Sequence, residues 1–256
     1  MRVVISQPML MPWRGMFEQI RLADRFVFYD DVQLPLGGGR GRGFITRVQV
    51  KTPRGVEWLS LPVARAGEGV QRICDARFAH QDWRAQHLGK LDQAYRSAPH
   101  YRWAEASVIG PVYALQTESV SEFCVHSMRV IAGALGVPFE PLFSSAMGIG
   151  ELDASVRVLE FCRRLGATEY VTGLGAMDYI DYELFESAGV RICYMDYALS
   201  PYPQLHGEFT PFVSIIDLLC NVGPGASSQL GSRAVYWRDW PHFSGGRPAR
   251  APAAVT

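Results

Sequence analysis

The stretch that decides the fold is "VVISQPMLMPWRGMFEQIRLADRFVFYDD", from Val3 to Asp31. Val3-Val4-Ile5 is a β-branched run too short for a helix, and it stops at Ser6-Gln7-Pro8. It reads as a buried strand. Phe17, Ile20 and Leu22 then recur at roughly helical spacing, so Gly15 to Ala23 reads as a short helix. Phe26 to Tyr29 is a second buried strand, and it stops at Asp30-Asp31. A strand, a loop, a helix and a strand in succession form the unit that builds parallel sheets.

The same alternation continues downstream. The spacing predicts helices over Trp83–Tyr95, most of Val108–Leu135, Leu152–Leu165, Ile180–Ser187 and Ser214–Asn221. It predicts strands near Phe139–Phe143, Glu169–Thr172 and Val190–Met195. Phe44–Val50 and Val56–Val63, joined by the turn "KTPRG", read as a β-hairpin. Between Asp31 and that hairpin lies "PLGGGRGRG", Pro35 to Gly43, too glycine-rich for regular structure. It is expected to be a mobile basic loop, with Arg40 and Arg42 suited to an anionic donor. The expected fold is α/β, a mostly parallel sheet flanked by helices, with a β-hairpin insertion and a flexible C-terminal tail. The expected domain is 1–223. Residues 224–256, rich in Gly, Pro, Ala and Ser, are expected to form a loosely packed tail, with "VYWRDWPHF" as a docking patch within it.

Composition narrows the function classes. The 256 residues carry 48% apolar and 20% charged side chains, ordinary for a globular protein able to bury a core. Basic and acidic residues balance at 25 each, so no global field favours nucleic acid or an anionic membrane. No signal peptide or membrane-spanning run is visible. Cys74, Cys124, Cys162, Cys193 and Cys220 are scattered and form no CxxC pair, which fits reduced cysteines in a cytoplasmic protein. There is no HExxH, Cys/His cluster, GxGxxG or P-loop, so neither a metal nor a cofactor is expected.

In open α/β sheets, ligands sit outside the carboxyl ends of the strands. Gln7, Asp30, Asp31, Ser144, Ser145 and Gly173 all follow predicted strands, and are expected to converge on one crevice. The segments "QPMLMPWRGMF", "ADRFVFYDDVQ", "VKTPRGVEWLSLPV", "FSS", "YVTGLGAMDYID" and "YPQLHGEF…SIIDLLCNVG" follow one another in an order that resembles the WbqC-like family, over about Met1 to Gly223. Members of that family often lie in bacterial gene clusters for surface sugars. The resemblance implies transfer of an acyl or aminoacyl group, such as glycyl, to an amino sugar or related small metabolite. The chain departs from the family pattern in "LPLGGGRGRGFITR", where Thr46 precedes Arg47, so its substrate is expected to differ.

The candidate catalytic residues are Asp30, Asp31 and His206. A carboxylate at a strand end serves as a base for an amine, an anchor for sugar hydroxyls, a magnesium ligand, or simply a turn cap. His206, in a polar loop, is a base for an attacking amine or an ordinary loop residue. Gln7 offers a matched donor and acceptor, and Trp13 a flat face for a ring. Arg47 and Lys51 suit phosphates, and Ser144 and Ser145 an oxyanion. Gln33, Gly173, Tyr179, Tyr202 and Gln204 complete the candidate binding residues from the shared motifs. Asp217 and Asn221, one helical turn apart, are either ligands or polar core supports. The expected partners are a small-molecule substrate and an acyl or aminoacyl carrier. No membrane or nucleic acid is expected, with an aminoacyl-tRNA donor left open. An ATP-dependent ligase or nucleotidyl transferase, and a non-catalytic binding protein, are the alternatives.

Overall fold

The computed structural model describes residues 1–35, 43–65, 70–240, 243–244 and 247–248. The glycine-rich stretch with Arg40 and Arg42 lies outside the described residues except at its ends. Six strands form the main sheet: β1 (Arg2–Ser6), β2 (Arg25–Phe28), β5 (Leu142–Phe143), β6 (Glu169–Thr172), β7 (Arg191–Asp196) and β8 (Arg233–Tyr236). A separate antiparallel hairpin joins β3 (Arg47–Thr52) to β4 (Gly55–Ser60), with Thr52 opposite Gly55 across the turn. The helices are α1 (Arg14–Leu22), α2 (Trp83–Tyr95), α3 (Tyr101–Ala104), α4 (Gly110–Ala114), α5 (Val120–Ala134), α6 (Ala154–Leu165), α7 (Tyr182–Ser187) and α8 (Ile215–Val222). Among the described residues no helix is long and apolar enough to cross a membrane.

The sheet order is β5-β2-β1-β6-β7-β8. All neighbours run parallel except β7 and β8. The chain therefore lays down β1, steps outward to β2 and β5, and then returns to the far side of β1 to add β6, β7 and β8. The direction of winding reverses between β1 and β6, and that switch point is where a sheet of this kind opens a crevice.

Alternation along the strands fills a core on each face. Val4, Phe26, Phe28, Val171, Cys193 and Met195 enter the larger core, with side chains from α1, the hairpin, α2, α5 and α8. Val3, Ile5, Val27, Tyr170, Ile192 and Tyr194 enter the other, with α6, α7, Trp237 and Trp240.

The structure adds detail to three expectations. The run Val108–Leu135 is not continuous: α5 starts afresh at Val120, where the Ser119 hydroxyl accepts from the Glu122 amide at 3.2 Å. Ahead of it, a π-helical turn at Glu105–Ile109 lies between α3 and α4. Pro111 follows directly, and proline lacks the N–H that regular α-helical bonding needs. The strand near Phe139–Phe143 shortens to Leu142–Phe143. Finally, packing continues beyond 223. Residues 223–229 form 3₁₀ turns, β8 completes the sheet edge, and Trp237 and Trp240 are buried. The apolar weight of "VYW" and Trp240 outweighs the loose composition around it.

Candidate functional site

The carboxyl ends of β1, β2, β5, β6 and β7 all face one edge of the sheet, and most of the candidate residues lie there or in loops packed against it. They fall into two groups. On the β2–β5 side, Asp30 is buried and its Oδ1 accepts from the Ser144 hydroxyl and the Ser145 amide, each at 3.0 Å. Its Oδ2 accepts from the Ser145 hydroxyl at 2.8 Å. Asp30 thereby caps the 3₁₀ turn Ser144–Ala146 that follows β5. Asp31 follows in the loop past β2. Its Oδ2 pairs with the Arg157 guanidinium of α6 at 2.5 Å, and its Oδ1 lies 2.5 Å from the Ser144 hydroxyl. Arg157 also donates to the Tyr29 hydroxyl at 3.3 Å and the Ile149 carbonyl at 3.1 Å. Asp30, Asp31, Ser144 and Ser145 thus do converge, and what binds them together is capping and ion pairing.

Beside this cluster lies a cleft of about 320 Å³, between Asp30 and one face of α5. Leu115, Val125 and Phe143 form its apolar wall, and Asp30, Cys74, Glu122, His126 and Arg129 its polar groups. His126 Nε2 lies 3.0 Å from the Pro111 carbonyl. A carbonyl only accepts, so Nε2 carries the proton and Nδ1 holds the lone pair of the neutral ring. Arg129 makes no hydrogen bond or ion pair among the described residues, and its guanidinium lies 5.9 Å from the Phe143 ring centre. Burial, with Asp75 and Asp30 nearby, pushes the Cys74 thiol up, so it stays protonated. His126 is not among the candidates read from the sequence. The signal that marks it is the polar stripe Glu122, His126 and Arg129, at i, i+4 and i+7 on an otherwise apolar helix.

The second group surrounds the switch point. Gln7 ends β1 half-buried, and its carboxamide makes no hydrogen bond among the described residues. Trp13 stacks between Tyr197 (4.7 Å) and Phe212 (5.3 Å). The indole folds back over Gly15, where a Cβ would stand 2.4 Å from the ring, so only glycine fits there. Gly173, at the end of β6, sits beneath the hydrogen-bonded Gln19 and Tyr197 side chains. Behind them lies a buried polar network. The Tyr202 hydroxyl donates to Asp217 Oδ1 at 2.9 Å and accepts from Gln204 Nε2 at 2.9 Å. The Lys51 ammonium donates to Gln204 Oε1 at 3.1 Å, to the Gly207 carbonyl at 3.0 Å and to the Glu208 carbonyl. Burial pushes the Asp217 carboxyl up to about 6, although Tyr202 and Lys51 favour its ionised form.

The remaining candidates make other contacts. His206 adopts a left-handed backbone (φ 64°), and its Nε2 donates to the Ala94 carbonyl of α2 at 2.7 Å. It shares no hydrogen bond with Asp30 or Asp31 and instead ties the 202–208 loop to α2. Arg47 stacks on Trp58 of the hairpin, 4.4 Å from the ring centre. Gln33 is exposed on an isolated bridge to Arg72. Tyr179 is half-exposed, and its carbonyl accepts from the Ser155 hydroxyl at 2.9 Å.

Comparison with known proteins adds two findings. The WbqC-like protein family matches the chain over residues 7–229, which spans both groups. The uncharacterized protein Rv1507c of Mycobacterium tuberculosis is 33% identical over 232 residues, covering 90% of this chain and 97% of the relative. No solved structure matches the chain.

Proposed function

The chain belongs to the WbqC-like protein family, and on that footing we propose that it is a transferase, placing an acyl or aminoacyl group on the amine of an amino sugar or related small metabolite. The work would be biosynthetic and cytoplasmic, with a small-molecule acceptor and an activated or carrier-borne donor. One observation carries the reading: an oriented imidazole, His126, lines a cleft of metabolite size together with a carboxylate and an unpaired guanidinium. In the reaction the amine nitrogen attacks the donor carbonyl carbon. The new C–N bond forms as the bond to the donor's leaving atom breaks, and the amine proton passes to a base. The His126 lone pair at Nδ1 suits that base. Asp30, held by Ser144 and Ser145, would steady the ammonium form of the acceptor on arrival; that ammonium loses one proton to solvent before the free amine attacks, and the proton taken up by His126 in the attack passes to the leaving atom of the donor. Arg129 would hold an anionic part of the donor. Transfer would be direct, because the protonated Cys74 is a poor nucleophile.

The test incubates the purified protein with an amine-bearing nucleotide sugar and acyl or aminoacyl thioesters, and follows the acceptor by mass spectrometry. The expected product is an amide. His126→Gln, which keeps a donor for the Pro111 carbonyl, should slow its formation by about 100-fold or more, with an unchanged denaturation midpoint. Full activity in that variant would remove His126 from the mechanism. Amide formation only with ATP, accompanied by AMP or ADP release, would instead indicate a ligase.

A further inference from the structure

Arg14 opens α1 just past the loop that follows β1, and it is 2% exposed. Its Nη2 donates to the Ala198 carbonyl at 2.7 Å, beyond the end of β7. The strand between β1 and β7 is β6. The guanidinium therefore reaches across the carboxyl end of β6, directly at the switch point. Among the described residues its Nε and Nη1 have no hydrogen-bond partner, and no carboxylate forms an ion pair with it. The rings of Tyr202 and Phe209 lie 5.7 and 6.0 Å away, contacts that leave the N–H groups unsatisfied. The N-terminus of α1 adds its own demand. Trp13 at the cap position supplies no side-chain acceptor, and no acidic residue stands in the first turn. A buried guanidinium with two idle donors is costly to keep unless something meets them.

We infer that this crevice is a subsite for the phosphate of a phosphorylated ligand, held by Arg14 and the start of α1. One idle N–H, paired with the second N–H of Nη2, forms an edge of the planar fork that matches two oxygens of one phosphate. The aromatic shelf of Trp13, Tyr197 and Phe212 stands next to it, placed for the ring that the phosphate carries. Glu18, one turn along α1, has its own unpartnered Oε1 among the described residues; burial pushes its carboxyl up, while the Ser232 hydroxyl and the Arg14 charge favour its ionised form. The subsite lies on the opposite side of β1 from the His126 cleft and does not depend on the chemistry proposed there.

Thermal unfolding with inorganic pyrophosphate, uridine diphosphate or acetate, at matched ionic strength, tests the assignment. At about 100 times its Kd, pyrophosphate or the nucleotide should raise the wild-type Tm by about 5–10 °C. Acetate should give a much smaller shift. Arg14→Met, which replaces the unpaired cation with an apolar chain of similar length, should lose the shift while remaining folded. Arg14→Lys keeps the charge without the fork and should weaken binding about tenfold or more. This variant decides the matter should the methionine variant fail to fold. His126→Gln should retain the full shift, so loss of transfer there is separable from loss of anion binding. No shift in the wild type, an equal shift in the Arg14 variants, or equal protection by acetate would each overturn the assignment.

Discussion

Asp217→Asn is the most informative single change for the buried network. Asp217 is fully buried on α8, and burial raises its carboxyl from 3.8 to about 6. A carboxyl raised on folding binds its proton more tightly in the native state. Its contribution to stability is thus complete below about pH 4 and is lost as the pH rises through about 6. At roughly 1.4 kcal/mol per unit, the loss is about 3 kcal/mol by neutral pH. His87 works in the opposite sense. Burial between the Tyr113 hydroxyl and the Ser60 carbonyl lowers its imidazole from 6.5 to about 4. Its contribution is present above about 6.5 and is lost as the pH falls toward about 4, again by about 3 kcal/mol. The two windows overlap and nearly cancel in the wild type. Asparagine stands in for the protonated carboxyl. Relative to wild type, the variant should change little at about pH 4 and gain about 3 kcal/mol at about pH 7.5. Its own stability should then fall steeply on acidification, exposing the His87 slope. Urea denaturation at intervals between those pH values measures both. A difference between variant and wild type that stays constant with pH would refute the reasoning, because Asp217 would then ionise alike in the folded and unfolded chains.

Three further outcomes are expected. Asp31→Ala leaves the largely buried Arg157 guanidinium without its partner and should cost about 3–5 kcal/mol in chemical denaturation; an effect below about 1 kcal/mol would contradict the ion pair. Gly15→Ala drives a methyl group into the Trp13 indole, and should lower stability by about 1–3 kcal/mol and shift the tryptophan fluorescence, whereas an unchanged spectrum would mean the ring lies elsewhere. Trp237→Ala empties the core beneath α7 and should cost about 3–5 kcal/mol, and ending the chain at Gly223 should give aggregated protein; a stable, monomeric 1–223 fragment would show that β8 and the tryptophans are dispensable.

The sequence by itself determined the elements and their class. Period-two and period-3.6 patterns are local, so Val3–Ile5, Phe26–Tyr29, Glu169–Thr172 and the helices at Trp83 and Leu152 were each legible from their own neighbours. The family was legible too, because ordered motifs survive without coordinates. That Asp30, Asp31, Ser144 and Ser145 would meet followed from strand ends sharing one edge of a parallel sheet. Their roles did not follow. Whether a carboxylate caps a turn, pairs with Arg157 or faces a cleft depends on partners more than 110 residues away. His206, in a polar loop, donates to α2, whereas His126, within a helix and not singled out by its neighbours, lines the cleft. Packing beyond residue 223 was not legible for the same reason. Composition measures a segment's own capacity to form a core, and β8 with Trp237 borrows the core built by β7 and α7. Burial and pairing are properties of the assembled chain, so they settled what local pattern left open: which polar groups hold the fold, and which remain unsatisfied.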